Sequence, residues 1–374
     1  MKKTNISALL LAALLLIQLL CAPVSAVTAD AQADAQTASD KSAEDAAAEA
    51  DSVPEDQLLS SREQFSVAAK AALLIDLNTN RVVYEQDADE RVYPASLTKI
   101  MTCLIALENG NLSDVVTVSE SALADLDEDS SVAGLVVGEQ MTLENLLYCM
   151  MVVSGNDACN VIAEHVAGSV TDFVRMMNQR AYELGCTNTH FNNPHGLHDE
   201  SHYTTARDLA IITQAALKSE NFRQIVDTYE YKLPDDNMRQ NIPKLKTTNM
   251  LIYQSMSNAL YYPRAHGIKT GYTSQAGRCV ISEATGDGLD LLGIVCGAAT
   301  TVLDSGDLLM ENFTECARLF DYGFDNYSYL TLMSPLYPVD QVKINNSAGA
   351  EAVAVAPQDE IKVLLPNDYD PDQL

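Results

Sequence analysis

Positive charge is what this sequence most lacks: 23 lysines and arginines stand against 52 aspartates and glutamates, a net charge of -29 at neutral pH. Such a chain repels phosphate backbones and anionic headgroups, which argues against nucleic acid as a partner and against electrostatic adhesion to acidic lipid. Histidine is scarce, with 6 in the chain. His190, His195, His198 and His202 cluster within Thr189 to Tyr203, a stretch that reads as loop and not as a zinc-binding helix, so neither metal nor cofactor is expected. No Ser-His-Asp arrangement is legible either. Long apolar runs are missing too: Ile6 to Leu20 falls short of the ~20 residues of a comfortable membrane span.

That run follows Met1-Lys2-Lys3 and precedes Ala22-Pro23-Val24-Ser25-Ala26, the layout of a secretory leader cleaved after Ala26. Cys21 follows Leu20, where a lipoprotein would want a small residue. Residues 1–26 are therefore read as a signal peptide and the mature chain as secreted, in the cell envelope. From Val27 to Asp56 there are nine acids and one lysine, a local net charge of -8, and large apolar residues are almost absent before Leu58. Such a stretch buries too little surface to offset its ordering entropy, so 27–61 is expected to be an acidic disordered linker. Beyond Cys21 seven cysteines remain, an odd number that cannot pair completely. Most have apolar neighbours, as in Thr102-Cys103-Leu104, where cysteine serves as a small buried hydrophobe.

Against these absences stand three short boxes in order: Ser96-Leu97-Thr98-Lys99, Ser154-Gly155-Asn156 and Lys269-Thr270-Gly271. Residues three apart on a helix share a face, so Ser96 and Lys99 are expected to be hydrogen-bonding neighbours. Leu97 to Glu108 is free of Gly and Pro, which predicts that Ser96 opens a helix, near the positive end of its dipole. Serine needs a base to become a nucleophile, and a lysine in a dry, positively charged cleft can supply one. Lys99 is the candidate base, and Lys269 the second charge that pushes it toward neutrality and binds a substrate carboxylate.

Ser154 and Asn156 are expected on a short connection between two buried helices, Ser154 as a proton relay and Asn156 facing a substrate amide. Ala265 to Thr273 reads as an edge strand, with Arg278 to Ala284 its antiparallel neighbour across Ser274-Gln275-Ala276-Gly277. Gly271 would leave room for an extended peptide to pair along that edge.

With Tyr93-Pro94-Ala95 before the first box, Asn193-Pro194-His195-Gly196-Leu197, Thr204-Thr205-Ala206-Arg207-Asp208 and Gly267-Ile268-Lys269-Thr270-Gly271-Tyr272-Thr273, the chain resembles the serine-type D-alanyl-D-alanine carboxypeptidases among the low-molecular-mass penicillin-binding proteins. The likeness covers about residues 62 to 330. It implies a β-lactamase/transpeptidase-like α+β fold and peptidoglycan stem peptides ending in D-Ala-D-Ala as substrates, with β-lactams as inhibitors. It also implies Ser96 as acylated nucleophile, Lys99 as general base, Ser154 and Asn156 as the second element, and Lys269 and Thr270 as carboxylate binders. Backbone N–H groups of Ser96 and Thr273 would form the oxyanion hole.

Two positions depart from the family pattern. His266 stands where many members carry an acid directly before Gly-x-Lys-Thr-Gly, and 297–305 lacks the arginine many members place there for the substrate carboxylate. Recognition would then rest on Lys269 and Thr270, with Arg278 a further candidate. A β-lactamase, a D,D-endopeptidase and a non-catalytic binding protein on the same scaffold remain as alternatives.

Residues 62–334 are read as the catalytic domain, with helices packed on an antiparallel sheet, Glu311 to Phe324 closing its other face. In 335–374, Val342 to Ile344, Ala350 to Val355 and Ile361 to Leu365 are strand-like runs between turns, the start of a small β-rich domain, either cut short or reduced. The chain ends without the amphipathic helix that anchors many family members, so membrane association is expected only through residues not present here.

Overall fold

The computed structural model describes residues 65–124, 126, 130–234, 238, 244–255, 258–302, 308–343 and 352–370. The expected signal peptide and acidic linker lie outside these residues. The chain divides into two units, Ser66–Asn367 and a second formed by Met1–Phe65 with Asp368–Leu374. Of the second, only Phe65 and 368–370 are described.

The first unit is built on a five-stranded antiparallel sheet. Its strands are β1 (Ala71–Asp76), β2 (Arg81–Gln86), β3 (Ala265–Thr273), β4 (Gly277–Gly286) and β5 (Leu289–Ala298), in the order β2-β1-β5-β4-β3. β1 is buried along its whole length, so it needs cover on both faces. Strand alternation divides its side chains accordingly. Leu73 and Ile75 join a core with the helical block, while Leu74 turns to the other face.

The helical block lies between β2 and β3 in the chain. It comprises α1 (Lys99–Asn109), α2 (Glu120–Ala124), α3 (Leu143–Met151), α4 (Asn156–Ala167), α5 (Val170–Glu183), α6 (Ala206–Leu217) and α7 (Glu220–Val226). Side-chain caps start several of them: Thr142, Ser169, Thr205 and Ser219 each accept a hydrogen bond from the backbone N–H three residues on. α1 is central, with eight consecutive residues from Lys99 to Ala106 buried. On the opposite face lies α8 (Glu311–Asn326), the expected closing helix extended by two residues. Its Gly323 packs so closely that a Cβ would lie 2.7 Å from Leu291 and 2.9 Å from Leu74.

Beyond α8 the chain forms β6 (Tyr327–Met333), β7 (Asp340–Lys343), β8 (Ala352–Val355) and β9 (Ile361–Pro366). β7 pairs with β8, and β6 with β9. The second pairing crosses the border expected between 334 and 335, so a division there cuts through a hydrogen-bonded pair. The pair is also tied to the main sheet: Tyr327 Oη donates to Val83 O at 3.2 Å, the Tyr329 hydroxyl to the Asp76 carboxylate, and Arg81 to Leu364 O.

Candidate active site

The expected helix start at Ser96 is displaced. Ala95 to Thr98 winds as a 3-10 turn and the α-helix begins at Lys99. Ala95 has φ of 47°, a left-handed conformation costly for a residue with a Cβ, of order 1–3 kcal/mol. The surroundings hold the turn in place. Gly196, at φ 90°, lies directly against it: a Cβ there would sit 1.8 Å from Ala95 O. On another side a Cβ on residue 271 would lie 2.9 Å from Ser96 N and 3.1 Å from Pro94 O. The absent side chain at Gly271 thus makes room for the turn that carries Ser96, a different reason from the substrate clearance expected from sequence.

Lys99 is fully buried and its Nζ donates to three oxygens: Ser96 Oγ at 2.9 Å, Asn156 Oδ1 at 2.7 Å and His195 O at 2.8 Å. A backbone carbonyl can only accept, and Asn156 presents its amide oxygen, so a neutral amine would donate both N–H bonds to these two. Its lone pair would then point at the Ser96 hydroxyl. Burial pushes the Lys99 pKa down to about 8. Lys269, also buried, is held well below the ordinary lysine range by burial and then by the charge of Lys99. Two ammonium groups in one dry site titrate as a pair.

The loop that supplies the His195 carbonyl is fastened to α1. Thr102 Oγ1 donates to Pro194 O at 2.6 Å, and Thr98 Oγ1 meets His202 Nε2 at 2.9 Å. His202 Nδ1 accepts from Asn192 N, so Nε2 carries the ring proton and donates to Thr98. Burial lowers His202 to about 4 and His195 to about 3, which keeps both neutral. His198 stands edge-on to Tyr93, and His190 Nδ1 bonds Ser201 O. Among the described residues no group of three or more His, Cys, Asp or Glu is arranged to hold a metal ion.

Ser154 adopts φ of 64° and lines the cavity, while Asn156 is the first residue of α4 rather than part of the connection. Asp157 fixes this corner. Its carboxylate accepts from the backbone N–H of Ala133 at 2.9 Å, Gly134 at 2.8 Å and Leu135 at 3.0 Å, and Asn156 N donates to Ser131 O at 2.8 Å. These bonds strap the 131–135 segment over α4 and bring Ser130 and Ser131 to the cavity wall. The sequence reading missed Asp157, Ser130 and Ser131; the signal available was an acid in the first turn after Ser-Gly-Asn.

β3 runs over Ala265–Thr273 as expected and is an edge of the sheet. Thr270, Gly271 and Thr273 line a cavity of about 340 Å³ together with Ser96, Ser154 and Asn156. Thr270 Oγ1 pairs with Thr248 Oγ1 at 2.6 Å, and Thr273 Oγ1 accepts from Ala276 N at 3.0 Å. Lys269 lies beneath this wall, not on it, 1% exposed, with Nζ donating to Thr270 O at 3.1 Å. His266 faces away toward a carboxylate, with Nδ1 3.4 Å from Asp227 Oδ2, and is not part of the cavity wall.

The site therefore joins a serine, a buried lysine and an asparagine amide by direct hydrogen bonds, with a second serine and a threonine-lined strand edge around one cavity. A family profile described as D-alanyl-D-alanine carboxypeptidase matches residues 58–300. The chain belongs to that family. It is 37% identical over 284 residues to the D-alanyl-D-alanine carboxypeptidase DacF of Bacillus subtilis, covering 74% of this chain and 67% of that one. It is 31% identical over 315 residues to DacC of Escherichia coli K12, covering 80% and 74%. Against DacA of Haemophilus influenzae, 35% identical, it spans 63% of the relative's length.

Solved structures share the fold. Penicillin-binding protein 5 of Haemophilus influenzae aligns with a TM-score of 0.64 at 29% identity, over 82% of this chain and 85% of that one. A DD-transpeptidase of Streptomyces K15 aligns with a TM-score of 0.62 at 29% identity, over 70% of this chain and all of that one. The α+β class and its β-lactamase/transpeptidase-like arrangement are thus those of the family, whose members are hydrolases of the serine peptidase type.

Proposed function

We propose that this protein is a serine D-Ala-D-Ala carboxypeptidase that removes the terminal D-alanine from peptidoglycan stem peptides outside the cytoplasm. The observation that carries the reading is the Lys99 amine, buried, depressed to about 8 and 2.9 Å from Ser96 Oγ. Ser96 Oγ attacks the carbonyl carbon of the penultimate D-alanine while its proton passes to Lys99 Nζ. The proton then moves by way of Ser154 to the nitrogen of the departing D-alanine as the C–N bond breaks, leaving an ester on Ser96. Water, deprotonated by the same lysine, cleaves the ester and restores the serine.

Backbone N–H groups of Ser96 and Thr273 stabilise the oxyanion, Asn156 orients the substrate amide, and Thr270 and Gly271 form the strand edge that receives the extended peptide. Lys269 lies beneath that edge, its amine donating to Thr270 O. A β-lactam would acylate Ser96 in the same way, its amide nitrogen remaining tethered after ring opening. Among the described residues no carboxylate lines the cavity.

The test is incubation of the mature protein, alongside Ser96→Ala, with labelled penicillin and with a peptide ending in D-Ala-D-Ala. Persistent labelling and D-alanine release are expected of the wild type, and neither of the variant. Rapid penicillin turnover would make the protein a β-lactamase; D-alanine release by Ser96→Ala would overturn the mechanism.

A further inference from the structure

The proposed substrate ends in a carboxylate, and a carboxylate drawn into a cleft needs a cation at its wall. Neither buried lysine meets that need. Lys99 has its three donors directed at Ser96, Asn156 and His195, and Lys269 lies under the wall, bonded to Thr270 O. His195 lines the cavity but burial keeps it neutral. Among the described residues one cationic side chain remains on the wall, that of Arg278.

Arg278 is built into place from two directions. It stands on β4 opposite Tyr272 of β3, and its guanidinium carbon lies 4.8 Å from the centre of the Tyr272 ring. Its Nε donates to Thr300 Oγ1 at 2.6 Å. These contacts engage one edge and one face of the guanidinium, and the pair of Nη groups is left for a ligand. Among the described residues Arg278 has no carboxylate within ion-pair distance. Arg175, Arg180, Arg207, Arg223, Arg264 and Arg318 all have one, while Arg81 and Arg91 share its lack of one but stand away from this cavity. An arginine stacked and tethered at a cleft, without an acidic partner among the described residues, is arranged for an anion from outside.

We infer that Arg278, oriented by Tyr272 and Thr300, is the residue that grips the terminal carboxylate of the substrate, with the Thr270 hydroxyl on the neighbouring strand as its companion. The inference rests on the carboxypeptidase reading and names its specificity determinant.

The experiment compares two peptides that differ only at the C-terminus, D-Ala-D-Ala acid and D-Ala-D-Ala amide, on wild type, Arg278→Gln, Arg278→Lys and Thr300→Val. Wild type should prefer the acid in kcat/KM. Arg278→Gln should lower kcat/KM for the acid by about 30-fold or more, chiefly through KM, and bring the acid-to-amide ratio toward one. Arg278→Lys should restore part of the ratio, and Thr300→Val, which frees the side chain but keeps its charge, should give an intermediate one. Labelling of Ser96 by a serine-reactive probe without a carboxylate reports whether each variant still assembles the site. An Arg278→Gln protein that is labelled by the probe and keeps the wild-type acid-to-amide ratio would overturn the assignment. A wild type that hydrolyses neither peptide would instead sink the carboxypeptidase reading beneath it.

Discussion

Lys99 carries a conflict between folding and chemistry that can be measured. Its pKa is lowered from 10.5 to about 8, chiefly by burial, so the folded protein holds that proton less tightly than the unfolded chain does. The unfolded state binds more protons between these values, and stability rises with pH there. The penalty is fully present below about pH 8 and is relieved by about pH 10.5, a span worth roughly 3 kcal/mol at 1.36 kcal/mol per unit. Urea unfolding of wild type and Lys99→Met across this range should show wild type gaining that amount relative to the variant; parallel curves would contradict it. Acylation of Ser96 by a β-lactam should likewise climb tenfold per pH unit below about 8 and level off above it, and a flat profile would remove Lys99 as the base. Ser96, Lys99 and Asn156 were legible because side chains leave a pattern in the sequence. The His195 carbonyl was not, since every residue has one and only the fold decides where it points. Lys269 was expected to bind a substrate carboxylate, whereas packing puts it beneath the cavity wall.

Among the elements, the 3-10 turn at 95–98 depends on what is pressed against it. Gly196→Ala would combine a side chain at φ 90° with a Cβ 1.8 Å from Ala95 O, so the backbone on one side must move. A cost of more than about 3 kcal/mol is expected, with penicillin labelling lost at temperatures where circular dichroism still reports a folded protein. Full labelling at a wild-type melting temperature would show that the close approach does not matter. The limits of β3 were readable to the residue because a turn sequence ends it and its neighbour begins at once. The start of α1 was not. Pro94 and the tight contacts of Gly196 and Gly271 impose a 3-10 winding that helix propensity alone does not foresee. The strapped segment at 131–135 was illegible for a related reason, as its shape is fixed by a carboxylate more than twenty residues downstream.

Across the whole molecule, Cys103, Cys149, Cys159, Cys186, Cys279, Cys296 and Cys316 are all free and buried. Burial pushes the thiols of Cys159 and Cys186 up to about 12, and Cys279 is shifted down by its hydrogen bond with Cys296, while burial keeps all seven from reagents. Protein beginning at Val27 should be almost inert to a thiol-specific reagent when native and release seven equivalents in denaturant; a much smaller number would mean that pairs form. Composition announced the odd count, and apolar neighbours announced the burial. The C-terminal strands were visible individually, but their partners were not, because pairing β6 with β9 joins segments that alternation describes only one at a time.

That last pairing has a consequence for the sheet as a whole. A five-stranded open sheet has two free margins, each a row of unpaired backbone groups that invites any passing extended chain. The β3 margin adjoins the serine. The β2 margin is spoiled: a bulge falls at Val83, and the carbonyl there is taken by the hydroxyl of Tyr327. One side of the sheet is left able to recruit a strand while the other is denied it, so the molecule can offer a template for a peptide without offering its far edge to a copy of itself.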